Sequence, residues 1–165
     1  MPSGWSQLSD EELEAMGLDP SSFNDVPSGF QSALYKHKDG EYALAFAGTN
    51  DGPDVKVDID QNFGKQTVQY SKAVTLGQQV SKAVGDNKLV YTGHSLGGGL
   101  ATTAALVTNK SAVTFNGAGV NLRTLRRHGV SSGMIDNRIN QGKLISYYVM
   151  GEILSDTTNA LPQQW

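Results

Sequence analysis

The sequence predicts a single α/β domain with a mainly parallel central β-sheet flanked by helices. Two observations lead to this fold class. Apolar strand-like runs alternate with helical segments along the chain, which is the order that builds a parallel sheet. The 165 residues are also 38% hydrophobic and include 19 glycines, a globular composition in a chain long enough to bury a core. Neither an internal repeat nor an interdomain linker is visible, so residues 1–165 are expected to form one unit.

The N-terminal part, residues 1–28, is predicted to hold a short helix followed by a loop. Ser9 and Glu12 have the spacing of a capping box, in which each side chain accepts a hydrogen bond from the other residue's backbone N–H. Gly17 is expected to end this helix. The proline, serine and aspartate residues that follow are typical of a loop.

The core, residues 29–165, is predicted to alternate strands and helices. Asp39 and Gly40 form the turn of a hairpin between the first two strands. The second of these strands is almost entirely apolar, so we expect it to be buried on both faces. An irregular crossing over 48–64 comes before the first long helix. The predicted strands are 30–37, 41–47, 88–92, 111–116 and 144–150, and the predicted helices are 66–84, 96–107 and part of 121–140.

Charge and composition exclude several classes of protein. A formal net charge of -3 and a pI near 5.5 argue against a nucleic-acid partner. No apolar run approaches the ~20 residues needed to span a bilayer, and the first residues lack the features of a signal peptide, so we expect a soluble protein. The absence of cysteine excludes disulfides, thiolate metal sites and a cysteine nucleophile.

The segment 89–99 carries the clearest chemical signal. Its residues Gly93-His94-Ser95-Leu96-Gly97 fit the pattern G-x-S-x-G. This pattern arises easily by chance in a chain rich in glycine and serine, but here it follows an apolar strand and opens a helix, as in a nucleophile elbow. Glycine is expected at both ends because a Cβ there would collide across the sharp turn. The alternative is a glycine-rich turn that binds a phosphate or no ligand.

The chain resembles the class 3 lipases of the α/β-hydrolase fold over residues 29–165. The residues that carry this resemblance are Ala45–Thr49, Gly93–Gly98 and Thr114–Gly119. The residues at 61–64, 69–70 and 115–119 are most similar to those of lipase-like toxin domains in bacterial polymorphic toxins and type VI secretion effectors. This resemblance implies a serine-dependent lipase or phospholipase that hydrolyses acyl esters of lipids, acts as an antibacterial toxin and needs no cofactor.

The resemblance also implies a role for individual residues. Ser95 is the expected nucleophile, and the Leu96 N–H is one expected donor of the oxyanion hole. Thr49, in the turn that follows a strand, matches the position of the second donor. Glu152 matches the catalytic acid, although the family usually has aspartate there, and Asp156 is the alternative.

The catalytic histidine is not found where the family places it, beyond the acid. The three histidines are His37, His94 and His128, and all precede Glu152. We expect His37 and His128 to be surface residues and His94 to point away from the catalytic side. The sequence therefore predicts that this domain lacks its C-terminal segment, and that a histidine beyond Trp165 or on a second chain is the general base.

No metal site is predicted. The aspartates of the 48–64 crossing begin like a calcium loop, but Phe63 stands where an EF-hand requires glycine. A calcium requirement is therefore unsupported. Three arginines, Arg123, Arg126 and Arg127, could contact lipid phosphates, or they could form an ordinary solvated helix face.

The expected partners are a membrane lipid or other ester substrate and a cognate immunity protein. Delivery by a secretion system into a target cell or periplasm follows from the toxin resemblance. Two other functions stay open. One is a hydrolase-fold binding domain that is catalytically dead because its histidine is absent. The other is a toxin module defined by its complex with an immunity protein.

Overall fold

The computed structural model describes residues 2–48 and 63–148. The predicted alternation of strands and helices is confirmed in these two ranges. The described elements are β1 (Trp5–Gln7), α1 (Asp10–Ala15), a 3-10 helix (Pro20–Phe23), β2 (Asn24–Asp25), β3 (Phe30–His37), β4 (Tyr42–Phe46), α2 (Phe63–Val84), β5 (Leu89–His94), α3 (Leu96–Thr108), β6 (Ser111–Phe115), α4 (Leu122–Arg127), α5 (Ser132–Asn140) and β7 (Leu144–Tyr147).

The sheet has the strand order β1-β3-β4-β5-β6-β7, and β2 pairs with β3 beside this path. Strands β4 to β7 are parallel, which confirms the mainly parallel sheet. Strands β3 and β4 form the predicted antiparallel hairpin. The carboxyl ends of the four parallel strands therefore lie at one edge of the sheet, where α/β proteins place their sites.

The N-terminal segment contributes more to the sheet than the sequence predicts. Its capping box is confirmed: Glu12 Oε2 accepts from the Ser9 N–H at 2.8 Å, and Ser9 Oγ accepts from the Glu12 N–H at 3.3 Å. Strand β1, however, is an addition that the sequence analysis missed, as are the 3-10 helix and β2. Strand β1 is three residues long and half exposed, and it is defined by its pairing with β3 rather than by a local pattern.

One face of the sheet packs against α2 and α3 and forms the main core. Tyr91, buried on this face, donates a hydrogen bond to the Gly77 carbonyl of α2 at 2.9 Å. Burial raises the pKa of Tyr91 to about 12, so the hydroxyl remains a neutral donor near pH 7. Leu44 and Ala112 lie in register with Tyr91 on the neighbouring strands and are also buried.

The second face of the sheet is only partly covered by the described residues. On β4 the residues alternate between buried and half-buried, with Ala43 and Ala45 on the second face, so the expectation that this strand is buried on both faces is wrong. Further along the same face, Phe115, Ile145 and Tyr147 have exposed fractions of 47%, 45% and 55%. Parallel sheets are usually covered on both faces, and this one lacks that cover in the described part of the chain.

Candidate active site

Ser95 lies on the turn between β5 and α3, at the carboxyl end of the parallel strands. Its backbone has φ 55° and ψ −126°, a conformation that a residue with a side chain rarely adopts. Four hydrogen bonds hold the turn. The Ser95 N–H donates to the Phe115 carbonyl at 3.1 Å, and the Ser95 carbonyl accepts from Ala118 at 2.8 Å, from Gly98 at 3.0 Å and from Gly99 at 3.3 Å. The structure thus has the strained strand-to-helix turn that the sequence predicts.

Glycine is required on both sides of Ser95 because the backbones on either side of the turn are in contact. A Cβ at Gly93 would collide with the Gly97 carbonyl group and lie 2.8 Å from the Gly98 nitrogen. A Cβ at Gly97 would collide with the Phe46 carbonyl oxygen at the end of β4. These obstacles are backbone atoms, which cannot move aside as a flexible side chain can, so the expected steric reason for both glycines is confirmed.

A third glycine brings the chain that leaves β4 next to Ser95. A Cβ at Gly48 would lie 2.6 Å from the His94 carbonyl oxygen and 3.3 Å from Ser95 Cβ. Gly48 is the last described residue before the gap at 49–62. The segment that follows β4 is therefore held against the turn that carries the serine.

The surroundings of Ser95 combine a buried hydroxyl with free backbone donors. The side chain is buried, and its Oγ has no hydrogen-bond partner among the described residues. Leu96 and Gly97 open helix α3, and within the described ranges neither N–H donates to a backbone carbonyl. The first N–H groups of a helix have no partner inside it and form its positive end. This arrangement can stabilise negative charge that develops beside Ser95 Oγ.

The loop after β6 braces the turn through contacts to which the sequence analysis gave no role. The Tyr70 hydroxyl of α2 donates to the Gly119 carbonyl at 2.8 Å, while Ala118 donates to the Ser95 carbonyl. Burial raises the pKa of Tyr70, so its hydroxyl keeps its proton and remains a donor. Gly99 leaves room for this tyrosine, because a Cβ there would collide with the hydroxyl oxygen. Tyr70 and Gly119 are 49 residues apart, so no local pattern marks the contact.

His37 lies far from Ser95. Its neighbour Lys36 pairs with Tyr42 at the start of β4, whereas the serine follows the carboxyl ends of the strands. Four residue steps along β4 at ~3.3 Å each separate these ends by about 13 Å. His37 Nδ1 instead accepts a hydrogen bond from the Asp39 N–H at 3.3 Å, and its ring contacts the Trp5 ring. The side chain is only 18% exposed, so it is more buried than the expected surface residue.

The other two histidines do not partner Ser95 Oγ either. His94 is exposed and lies in register with Phe115 on the second face of the sheet. His128 ends helix α4 and is exposed, as expected. Leu125, three residues before His128, packs against Leu106. Leu106 lies ten residues from the start of α3 next to Ser95, which is about 15 Å along the helix at ~1.5 Å per residue.

Several predicted site residues fall outside the described residues. They are Thr49, Glu152, Asp156 and the aspartates Asp51, Asp54, Asp58 and Asp60. Within residues 2–48 and 63–148, no group of three or more histidine, cysteine or acidic side chains could hold a metal ion. A search of the described helices also found none that is long and apolar enough to cross a membrane.

This chain is similar to phospholipases and lipases, which agrees with the geometry around Ser95. The model of a family named the Tle-like phospholipase domain matches residues 1–163. The chain belongs to this family. The predicted membership among lipases with toxin-like phospholipase relatives is confirmed. 

Two known proteins are similar to this Tle-like domain, one in sequence and one in structure. The chain is 44% identical over 154 residues to an extracellular phospholipase A1 of Serratia liquefaciens; the match covers 93% of this chain and 48% of that protein. It therefore spans about half the length of this curated relative. Among solved structures, the Rhizomucor miehei lipase in complex with its propeptide matches with a TM-score of 0.54 and 12% identity, covering 97% of this chain and 66% of that one. This likeness confirms the α/β-hydrolase fold.

Replacing Gly97 should destabilise the Tle-like domain. In Gly97→Ala the new methyl group meets the Phe46 carbonyl oxygen, so β4 and α3 must separate. We expect the free energy of unfolding to fall by about 1–3 kcal/mol, the usual cost of overpacking. Gly133→Ala in α5 is the matched control, because a Cβ at Gly133 meets nothing within 4 Å. Urea unfolding curves measure both, and equal stability of the two variants would contradict the proposed steric role.

Proposed function

We propose that this Tle-like domain is the nucleophile-bearing part of a serine-dependent lipase or phospholipase, which hydrolyses acyl esters of phospholipids or related lipids. The observation that supports this most is Ser95 itself. It is held in a strained turn, its Oγ is unpartnered among the described residues, and the free N–H groups of α3 lie beside it. The name of the Serratia liquefaciens relative, a phospholipase A1, agrees with this substrate class.

The proposed reaction proceeds in two steps through an acyl-enzyme. Ser95 Oγ attacks the ester carbonyl carbon while its proton passes to a histidine base, and the carbonyl oxygen becomes an oxyanion. The tetrahedral intermediate then collapses, and the alcohol leaves with the proton that the histidine returns. In the second step water, deprotonated by the same base, attacks the acyl-serine and releases the fatty acid.

The oxyanion would accept hydrogen bonds from the Leu96 N–H and from Thr49. Leu96 is the first residue of α3, so its N–H has no partner within the helix. The position of Gly48 supports the role of Thr49, because Gly48 lies against Ser95 Cβ and Thr49 is the next residue along the chain. A preorganised donor of this kind lowers the barrier by about 3 kcal/mol.

The acid would be Glu152, with Asp156 as the alternative. Both follow β7, which is two strands away from β5 in the sheet and parallel to it. The carboxyl ends of parallel strands meet at the same edge of the sheet. An acid that follows β7 can therefore orient a histidine that reaches Ser95.

We propose that the histidine comes from a segment beyond Trp165 or from a second chain. Three observations support this proposal. None of the described histidines partners Ser95 Oγ. The match covers only 48% of the phospholipase A1 relative, so half of that protein has no counterpart here. The second face of the sheet, with Phe115, Ile145 and Tyr147 exposed, also has an apolar surface that an additional segment could cover.

The biological role we propose is that of an antibacterial effector, delivered by a secretion system and neutralised by a cognate immunity protein. This role rests on the similarity of the chain to lipase-like toxin domains. A second function, a hydrolase-fold binding domain without catalysis, is favoured by one observation. That observation is the unpartnered Ser95 Oγ, which no described histidine activates.

The nucleophile is tested by Ser95→Ala. In the active form of the enzyme this variant should lose hydrolysis by a factor on the order of 10⁴ or more, because no other group forms the acyl intermediate. A fluorophosphonate probe should label the parent protein and leave the variant unlabelled. Ser146→Ala, on β7, is the control and should retain labelling. Unchanged turnover by the Ser95 variant would overturn the assignment.

The acid is tested by comparing Glu152→Gln with Asp156→Asn. Each change removes one negative charge and keeps the size of the side chain. We expect Glu152→Gln to lower kcat far more, because an amide cannot stabilise the imidazolium that forms during the reaction. Steady-state kinetics on a short-chain ester measures the difference. If the Asp156 variant is the inactive one, the roles of the two acids are exchanged.

The origin of the base is tested with residues 1–165 alone. Serine without a base is a poor nucleophile, so this chain should be nearly inert on esters and on phospholipid vesicles. Activity should return when the proposed additional segment is supplied on the same chain or separately. Robust turnover of the isolated chain that disappears in His128→Ala would instead make His128 the base.

A further inference from the structure

The charges of this chain are separated across the sheet. Residues 2–48 contain eight acidic residues and two lysines, a net charge of −6. Residues 109–148 contain one acid, Asp136, and six basic residues, a net charge of +5. The six are Lys110, Arg123, Arg126, Arg127, Arg138 and Lys143.

The strand order places these two groups at opposite edges. Strand β1 and helix α1 belong to the acidic part and lie at one edge, whereas α4 and α5 connect β6 and β7 at the other. Five strand spacings of ~4.8 Å separate β1 from β7 by about 24 Å. This exceeds the Debye length of ~8 Å at physiological salt, so the two edges act as separate charged surfaces. The net charge of -3 therefore does not describe what the basic edge attracts.

Helix α4 presents its arginines on one continuous surface. At ~100° per residue, Leu122, Arg126, Arg123 and Arg127 occupy an arc of about 140°, in that order. All four are exposed. The two residues on the remaining side of the helix are buried: Leu125 packs in the cluster with Leu106 and Val130, and Thr124 lies beside it.

Within residues 2–48 and 63–148, the arginines of this arc form no ion pair. The ion pairs of lysine and arginine within the described ranges join Lys72 to Asp25 and Lys88 to Glu41, and neither involves α4. Two large apolar side chains are exposed on the same pair of helices, Leu122 at 41% on α4 and Met134 at 39% on α5. We call the exposed arc of α4, which consists of Leu122, Arg123, Arg126 and Arg127, the basic surface.

We propose that the basic surface docks this domain onto an anionic phospholipid bilayer. Arginines without an ion-pair partner among the described residues attract the negative headgroups, and the exposed apolar side chains of the same two helices can enter the interface, which is the combination found in peripheral membrane binding. The acidic edge is repelled by the same bilayer, so the charge separation orients the molecule. This inference rests on the proposed action on phospholipids, and it gives that action a preference for anionic membranes.

The position of the basic surface links it to the candidate active site. Helix α4 begins at Leu122, three residues after Gly119, and Gly119 belongs to the loop that braces the Ser95 turn. The helix that would contact the bilayer therefore follows directly, in the sequence, the loop that positions the serine. An acidic protein would satisfy the arginines, but it would not account for the two exposed apolar side chains.

The test measures binding apart from hydrolysis. The Ser95→Ala chain is sedimented with vesicles of phosphatidylcholine alone and with vesicles of equal parts phosphatidylcholine and phosphatidylglycerol, at about 0.1 M and about 1 M salt. Binding should require the anionic lipid and should weaken at high salt. Because Ser95→Ala cannot hydrolyse lipid, loss of catalysis and loss of docking are separate results, and docking can hold even if the proposed activity fails.

Variants then locate the surface. Replacing Arg123, Arg126 and Arg127 together by alanine should weaken binding on the order of 100-fold, since each basic residue near an anionic surface contributes about fivefold. The matched control replaces Lys36, Lys38 and Lys82 by alanine, which removes the same charge elsewhere and should change little. The triple change to lysine should retain binding, which separates charge from a folding defect. 

The apolar contribution has its own pair of variants. Leu122→Ser together with Met134→Ser should weaken vesicle binding at both salt concentrations, because the loss is not electrostatic. Equal binding to neutral and anionic vesicles would overturn the proposal. So would an equal loss of binding in the control variant that replaces Lys36, Lys38 and Lys82 by alanine. So would binding to a short DNA duplex as tight as binding to anionic vesicles, because a bare positive surface would then be sufficient.

Discussion

Contact between backbones at the Ser95 turn is the constraint on which the candidate site depends. The end of β4, the end of β5 and the start of α3 meet there without side chains between them. This is possible because Gly48, Gly93 and Gly97 have no Cβ. Ser95 is left with a positive φ, and hydrogen bonds from both sides of the turn hold it in that conformation. The packing of glycine backbones thus permits the strained conformation in which Ser95 is held.

The same turn supplies only part of the proposed catalytic machinery. One short segment provides the proposed nucleophile, Ser95, and helix N–H groups that can stabilise an oxyanion. Proton transfer requires groups from elsewhere, and the described histidines lie on the opposite sheet face, at the far end of the strands or at the end of α4. In the described part of the chain, Phe115, Ile145 and Tyr147 leave the second sheet face partly uncovered. Both features motivate the proposal that the histidine lies on another segment.

The distribution of charge shows why net charge is a weak guide to partners. The overall value of -3 argues against polyanionic ligands, yet the sheet order gathers the arginines at one edge and the acids at the other. Screening makes the local charge decisive at that separation. A family of lipid-acting enzymes would gain orientation from such an arrangement, because the acidic edge faces away from an anionic surface.

Features that are encoded within a few neighbouring residues could be predicted from the sequence. The capping box at Ser9, the β3–β4 hairpin and the turn at Ser95 were predictable because glycine spacing and side-chain-to-backbone hydrogen bonds act locally. Thr49 and Glu152 remain predictions that rest on the resemblance to a family. The tertiary structure alone decided the pairing of β1, the one-sided burial of β4 and the contact of Tyr70 with Gly119. These depend on segments tens of residues apart, whose proximity is set by sheet order and packing rather than by any local pattern.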